Sequence, residues 1–201
     1  MKQPFGLILA GGQASRMGGG DKGRLMLGDQ SLFARVIDRI APQVERLALN
    51  ANGPASRFAD LGLPVVPDLI SGFAGPLAGI SAGLDWAARE GAETLVTVAA
   101  DTPFFPEDLV PVLLRTSEDM PQPLALAATR AQDRLIRHPT FGIWPVALQE
   151  DLQSALHAGL RKIVLWTEQH AARDAVFPSG ELDPFFNINT PEDLLAAEAM
   201  L

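Results

Sequence analysis

Cysteine is absent from the 201 residues, which removes disulfides, thiolate metal sites and cysteine nucleophiles from consideration. Histidine is scarce. The three present, His138, His157 and His170, lie far apart without the HxxH-type spacing that a histidine-built zinc site uses. Basic charge is also in deficit: 16 Lys and Arg stand against 24 Asp and Glu, a formal net charge of −8. Nucleic-acid partners usually require a net basic footprint, so none is expected. A small anionic ligand remains open, because it needs only a local basic pocket or a metal. Long apolar runs are missing too, and nothing approaches the roughly 20 residues of a membrane span. The run FGLILA at residues 5 to 10 is too short for a signal peptide and has no plausible cleavage region after it. A soluble, cytoplasmic protein without membrane contact is expected. No linker, repeat or low-complexity tract interrupts the chain, and 47% of its residues are hydrophobic, enough to bury a substantial core as one domain over residues 1–201.

What is there alternates between strand and helix patterns. FGLILA reads as a buried strand, followed by SLFARVIDRIAPQV with Leu32, Phe33, Val36, Ile37 and Ile40 at helical spacing. ERLALNAN reads as a strand, PASRFADLG as a short helix ending at Gly62, and LPVVPD as a strand. PLAGISAGLDWAARE reads as a helix with Pro76 in its first turn and Gly91 just past its end. TLVTVAAD is the next strand, and PEDLVPVLLRTS a helix opened by a proline and two acids. LALAAT and TFGIWPV read as later strands, ALQEDLQSALHAG and PEDLLAAEAML as later helices. This alternation predicts an α/β fold, a mostly parallel sheet with helices on both faces. Trp86, Trp144 and Trp166 fall in apolar periodic segments and read as core.

Each early strand runs into a polar or glycine residue: the first into Gly11 and Gly12, then Asn50, Asp68 and Asp101. Ligands of open parallel sheets bind at the carboxyl ends of the strands. Taken singly, Asn50 and Asp68 could be turn formers and Asp101 the N-cap of a helix beginning near Pro103. The segment after the first strand, LAGGQASRMGGGDKGRL, is rich in glycine and carries Arg16 and Lys22. It is not a Walker A loop, since Lys22 is followed by Gly23 rather than Ser or Thr, and it contains no clean GxGxxG. Bare backbone there would still let N–H groups approach phosphate oxygens, with Arg16 and Lys22 supplying charge. The alternative is a glycine loop with solvated basic side chains. Gly79-Ile80-Ser81-Ala82-Gly83 matches GxSxG, but a nucleophile elbow needs a strand directly before the serine. Here SGFAGPLAG precedes it, so close packing of a helix is the better reading.

In order along nearly the whole chain come LAGG-x3-RMG-x3-DK, NAN, PD, GPLAG, AADTPF and FFNINTPEDL. Together they resemble the molybdenum cofactor guanylyltransferases, within a nucleotidyltransferase group built on a Rossmann-like sheet in one three-layer domain. The resemblance implies transfer of GMP from GTP to the phosphate of molybdopterin or Mo-molybdopterin, with release of pyrophosphate. It implies that Leu9, Ala10, Gly11 and Gly12 line the guanine site, that Asn50 and Asp68 contact the nucleoside, and that Arg16 and Lys22 contact the phosphates. Asp101 would bind Mg2+, and Asn187 and Asn189 would stand in the active site near the metal or pterin. It also implies that the product passes to other cofactor-biosynthesis proteins and acceptor molybdoenzymes.

These residue types suit the chemistry. A phosphomonoester with a second pKa of about 6 is already mostly dianionic at neutral pH, so no strong general base is required. Charge neutralisation and in-line positioning are required instead. Glycine at position 11, where related cytidylyltransferases tend to have LAAG, leaves room for a purine. Weak candidates for the pterin phosphate are Arg134, Arg137, His138, Arg161 and Lys162; solvated surface, or for His138 a structural hydrogen bond, is the competing reading. The alternatives to guanylyl transfer are a CTP-using or sugar-phosphate nucleotidyltransferase and a non-catalytic nucleotide-binding carrier.

Overall fold

Strands that are apolar along their whole length organise the computed structural model, which describes residues 2–11, 21–70, 75–131, 134–180 and 183–201. β1 (Phe5–Leu9) is buried at every position, as expected of a strand covered on both faces. A small hairpin, β2 (Met26–Leu27) and β3 (Gln30–Ser31), leads into α1 (Leu32–Ile40), where the Ser31 hydroxyl caps the first turn by accepting from the Ala34 N–H. Next come β4 (Leu47–Asn50), a 3-10 helix over Ala55–Leu61, β5 (Val65–Val66), α2 (Pro76–Arg89) and β6 (Thr94–Ala99). The second half adds α3 (Leu109–Thr116), β7 (Ala125–Ala131), β8 (Arg134–Pro145), α4 (Gln149–His157), α5 (Ile163–Gln169), β9 (Arg173–Phe177) and α6 (Pro191–Glu198).

Seven strands form one sheet in the order β5-β4-β1-β6-β8-β7-β9. β8 alone runs against its neighbours β6 and β7; the other pairings, including β7 with β9, are parallel. Alternation along the strands feeds two cores. Ile8, Leu49 and Val98 pack with Val36 of α1, Phe58 and Leu113 of α3 on one face. Leu7, Leu9 and Leu95 pack with Ile80 of α2, Leu152 of α4 and Trp166 of α5 on the other. The expected mostly parallel sheet with helices on both faces is what forms. No helix among the described residues is long and apolar enough to cross a membrane.

Three differences from the sequence reading have local causes. α3 begins at Leu109, because Pro106-Glu107-Asp108 form a turn closed by the Leu109 N–H on the Pro106 carbonyl at 3.1 Å. α5 and β9 were not anticipated: IVLWTEQ is a short apolar run without helical length, and RDAVF is a five-residue edge strand. TFGIWPV is only the end of the twelve-residue β8. The β7–β8 register jumps from Leu126↔Gly142 to Ala127↔His138, so Pro139, Thr140 and Phe141 bulge out of it. The bulge is held from β6, since the Thr97 hydroxyl donates to the Thr140 carbonyl (2.8 Å) and accepts from the Trp144 indole N–H (2.8 Å).

Beside the bulge, His138 stacks on Phe185 with ring centroids 4.2 Å apart and shares a 2.9 Å hydrogen bond with Thr129 Oγ1. Phe185 in turn packs on Phe141 and Phe177. Burial holds the imidazole below its ordinary value of 6.5, against a smaller opposing effect from Asp183. The unfolded chain therefore takes up this proton first as pH falls below about 6.5, and stability is lost in that direction only. His138→Gln is expected to lower the melting temperature at about pH 7.5 yet to shrink its further drop between about pH 7 and 5. Parallel melting-versus-pH curves for the two proteins would remove His138 as the source.

Candidate functional site

The carboxyl ends of the parallel strands open onto a cavity of about 320 Å3. β1 contributes Leu9 and Gly11, the end of β4 contributes Asn50 and Asn52, and Asp68 follows β5. Ala99 and Asp101 come from the end of β6, Gly75 and Pro76 from the start of α2, and Thr140 from the bulge in β8. This is the crevice in which open α/β sheets hold ligands.

One wall is a network of amides around a carboxylate. Buried Asn50 donates through Nδ2 to the Val66 carbonyl at 3.0 Å and to Asp68 Oδ1 at 2.9 Å. Asn52 Nδ2 donates to Asp68 Oδ2 at 2.8 Å, while Asn52 Oδ1 accepts from the Asp68 N–H at 2.9 Å. Both carboxylate oxygens are thereby oriented, and each keeps capacity to accept another donor. Gly79 makes room for this arrangement: a Cβ there would stand 2.2 Å from Asn50 Oδ1. One turn on, a Cβ at Gly83 would meet Leu7 Cδ2 at 2.4 Å and Leu95 Cδ2 at 2.8 Å. The glycines of GxSxG thus seat α2 on the sheet, and Ser81 lies inside that helix.

The other wall brings together residues far apart in sequence. The Lys22 ammonium donates to Asn189 Oδ1 and sits 3.5 Å from Asp101 Oδ2, both Lys22 and Asp101 being mostly buried. Thr102 Oγ1 lies 2.5 Å from Asn187 Oδ1 and 3.3 Å from Asp101 Oδ1. The Ile188 N–H donates to the Asp101 carbonyl at 2.8 Å, docking the late asparagine segment on the end of β6. A capping box fixes the same segment from the other side. Thr190 Oγ1 accepts from the Asp193 N–H, and Asp193 Oδ2 accepts from the Thr190 and Asn189 N–H groups at 2.9 and 2.8 Å. Those backbone donors, the Asn189 N–H first, hold the Asp193 carboxyl below its usual range.

The alternative of Asp101 as a helix cap is not realised, since the next helix starts at Leu109. Leu9, Gly11, Asn50, Asp68 and Asp101 share the cavity; Ala10 adjoins it with its N–H on the Asn50 carbonyl at 2.9 Å. Lys22, Asn187 and Asn189 do not line it; Lys22 is joined to it by Asp101, Asn189 by Lys22, and Asn187 by Thr102, which bonds to Asp101. Gly12 and Arg16 lie outside the described residues.

The weak basic candidates do not converge on it. Arg137 is taken up by Asp174 (2.7 and 3.1 Å) and Glu168 (2.9 Å), which together raise its pKa, and His138 is packed against Phe185. Arg161 donates to the Leu156 and Leu160 carbonyls at the end of α4, and exposed Lys162 precedes α5. Arg134 is exposed at the start of β8. Asn52, Thr102 and Thr140 were not anticipated. The second Asn of NAN was a readable signal for Asn52, whereas Thr140 depends on a bulge that no local pattern announces.

Comparison with known proteins bears on the chain as a whole. Residues 6–173 match the family described as the MobA-like NTP transferase domain. The chain is 50% identical over 198 residues to the molybdenum cofactor guanylyltransferase of Bradyrhizobium sp. (strain ORS 278), covering 97% of this chain and 92% of the relative. Among solved structures it superposes on the molybdopterin-guanine dinucleotide biosynthesis protein A of Archaeoglobus fulgidus with a TM-score of 0.72 at 24% identity, covering 98% and 97% of the two chains. It also superposes on the 4-diphosphocytidyl-2C-methyl-D-erythritol synthase of Anaerococcus prevotii with a TM-score of 0.76 at 14% identity, covering 99% and 96%. Both structural likenesses concern the fold alone.

Gly79→Ala and Gly83→Ala separate the two tasks of α2. Each is expected to cost about 1–3 kcal/mol through overpacking. Only Gly79→Ala should shift the side-chain amide resonances of Asn50 and Asn52 in a 15N-edited NMR spectrum. Equal shifts in both variants would contradict the division.

Proposed function

This chain belongs to the MobA-like NTP transferase family, and from that premise we propose that it is a guanylyltransferase of molybdenum cofactor synthesis. It transfers GMP from GTP to the terminal phosphate of molybdopterin or its molybdenum-loaded form. An acceptor phosphate oxygen bonds to the α-phosphorus, the bond from that phosphorus to the bridging oxygen breaks, and pyrophosphate leaves. The observation that carries this reading is that one cavity is lined by Asn50, Asn52 and Asp68 and also by Asp101, the residue on which the Lys22 ammonium, itself bonded to Asn189, is placed. One wall suits a nucleoside and the other a charged phosphate chain.

In this reading Asn50 and Asp68 face the nucleoside, and Leu9, Ala10 and Gly11 lie along the base. Lys22, with Arg16 from the glycine loop, takes negative charge on the triphosphate and on the departing pyrophosphate, which is where the reaction needs stabilisation. The acceptor arrives ionised, so proton abstraction is no obstacle. For Mg2+, the donor set fits: one carboxylate, Asp101, with the amide oxygens of Asn187 and Asn189 close by, offers hard oxygen ligands and leaves room for phosphates and water. Among the described residues there is no cluster of three acidic or imidazole side chains that would form a closed protein cage instead. When bound, the metal supplies charge neutralisation across the phosphates. Proteins that receive the finished cofactor are the expected partners, and we assign the reaction to the cytoplasm.

Guanine is favoured over cytosine by Gly11. Among the described residues the nearest atom to a Cβ built there is Asn50 Oδ1 at 4.0 Å, so none of them requires glycine at this position, and in this reading the space takes the base. The shared fold does not settle the base, since a diphosphocytidyl synthase has it too. Incubation with molybdopterin, magnesium and each of GTP, CTP, ATP and UTP, followed by pyrophosphate measurement, tests the reading directly. Release with GTP alone is expected; release with CTP alone would reassign the base, and no release with any nucleotide would reject transfer to this acceptor.

Two variants refine the test. Asp101→Ala should lower turnover on the order of a hundredfold or more while the protein stays folded, and near-normal turnover would take Asp101 out of the reaction. Gly11→Ala should raise KM for GTP about fivefold or more at an unchanged melting temperature; an unchanged KM would withdraw the argument from the missing Cβ.

A further inference from the structure

Two ion pairs on the surface join the turn that carries Lys22 to the turn that follows Asn52. Arg57 Nη2 donates to Asp21 Oδ1 at 2.6 Å, and Arg24 is bidentate on Asp60 at 2.8 and 2.9 Å. The spacing explains the fit. Lys22–Arg24 and Ala55–Leu61 are both 3-10 helices, in which residues three apart eclipse each other. Arg57 and Asp60, three apart in the second, therefore stand on one side of it, where Arg57 meets Asp21 at the start of the first turn and Asp60 meets Arg24 at its end. Arg24 also donates to the Arg57 carbonyl, and both guanidiniums lie over the ring of buried Phe58, 5.9 and 5.3 Å from its centroid. From behind, the turn is pressed on α1, because a Cβ at Gly23 would stand 2.4 Å from the Phe33 ring.

Lys22 is the residue between these anchors. With Asp21 and Arg24 fastened and Gly23 docked on Phe33, its backbone is anchored on both sides, and its side chain bonds to Asn189 and lies beside Asp101. Arg57 has a second contact, its Nη1 lying 3.4 Å from the Asn52 carbonyl, on the segment that orients Asp68. We propose that Arg57 is a positioning residue which, through Asp21, holds Lys22 in register with the nucleoside wall, so that base and phosphates are gripped at a fixed separation. Exposed ion pairs contribute little to global stability; these act on the orientation of one ammonium group. The proposal rests on the reading above that Lys22 contacts the triphosphate.

The test is a double-mutant cycle on GTP binding, read by calorimetry with Mg2+ present, together with guanosine binding and melting temperature. Arg57→Ala should weaken GTP about fivefold to tenfold and leave guanosine within about twofold, and it should add nothing in a Lys22→Ala background. Asp21→Asn, nearly isosteric, should reproduce the pattern, and Arg57→Lys should recover part of the loss. If the Arg57 and Lys22 losses multiply in the double variant, or if Arg57→Ala and Asp21→Asn both bind GTP normally, the proposal is overturned while the functional reading stands. If wild-type protein does not bind GTP, or Lys22→Ala binds it as well as wild type, the reading on which the proposal rests falls first.

Discussion

The distance between α2 and the sheet is the constraint on which most of the structure depends. Gly79 and Gly83, one turn apart on the same helix face, let α2 settle against Leu7, Leu95 and Asn50 more closely than any residue with a Cβ would permit. Gly83 admits core side chains, and Gly79 admits a functional one. The same close approach brings Gly75 and Pro76 to the mouth of the cavity and lets Ile80 and Leu84 complete one of the two cores. Stability and site geometry are therefore set by a single contact surface. The amide of Asn50 is confined by Gly79 on one side and by its bonds to Val66 and Asp68 on the other.

Charge is distributed in keeping with an anionic ligand despite the net charge of −8. Most arginines are engaged with acids or backbone carbonyls: Arg137 with Asp174 and Glu168, Arg46 with Glu90, Arg35 with the Leu27 carbonyl and Asp29. Lys22 differs in its partners: it pairs with Asp101, which lines the cavity, and bonds to Asn189 of the late asparagine segment. A cation that is shielded from water and aimed at a cleft exerts more on a ligand than several on the open surface.

Much of this was legible in the sequence, for reasons that can be stated residue by residue. Buried parallel strands read as continuous apolar runs, so their ends are easily found, and Asn50, Asp68 and Asp101 stand at those ends. Lys22, Asn187 and Asn189 were reached through motif resemblance; no periodicity relates residue 22 to residue 189. The antiparallel direction of β8 and its bulge at Pro139–Phe141 were not legible, because pairing direction has no local signature and Thr140 lines the cavity only through that irregularity. α5 and β9 escaped notice for want of length. Arg137 and Arg161 are weak candidates in the sequence because a basic side chain near a turn looks the same whether it meets a ligand or, as in this structure, acids or carbonyls of its own chain.

The contact between Lys22 and Asn189 spans 167 positions, and the Ile188 bond to Asp101 closes another long loop. Every strand among the described residues precedes this last segment in the chain. On a ribosome, the residues of the two cores on the faces of the sheet, and Asn50, Asn52 and Asp68, are translated before residues 187–189, and a nascent chain folds as its parts become available. Contacts of such sequence separation also form slowly, because loop closure opposes them. The two walls consequently mature at different times: the amide wall can assemble cotranslationally, whereas the lysine–asparagine wall waits for the end of synthesis. A partly made chain lacks the Lys22–Asn189 contact, and Leu27 and Leu32 still lack Ile188 and Ala197, the late residues with which they are buried.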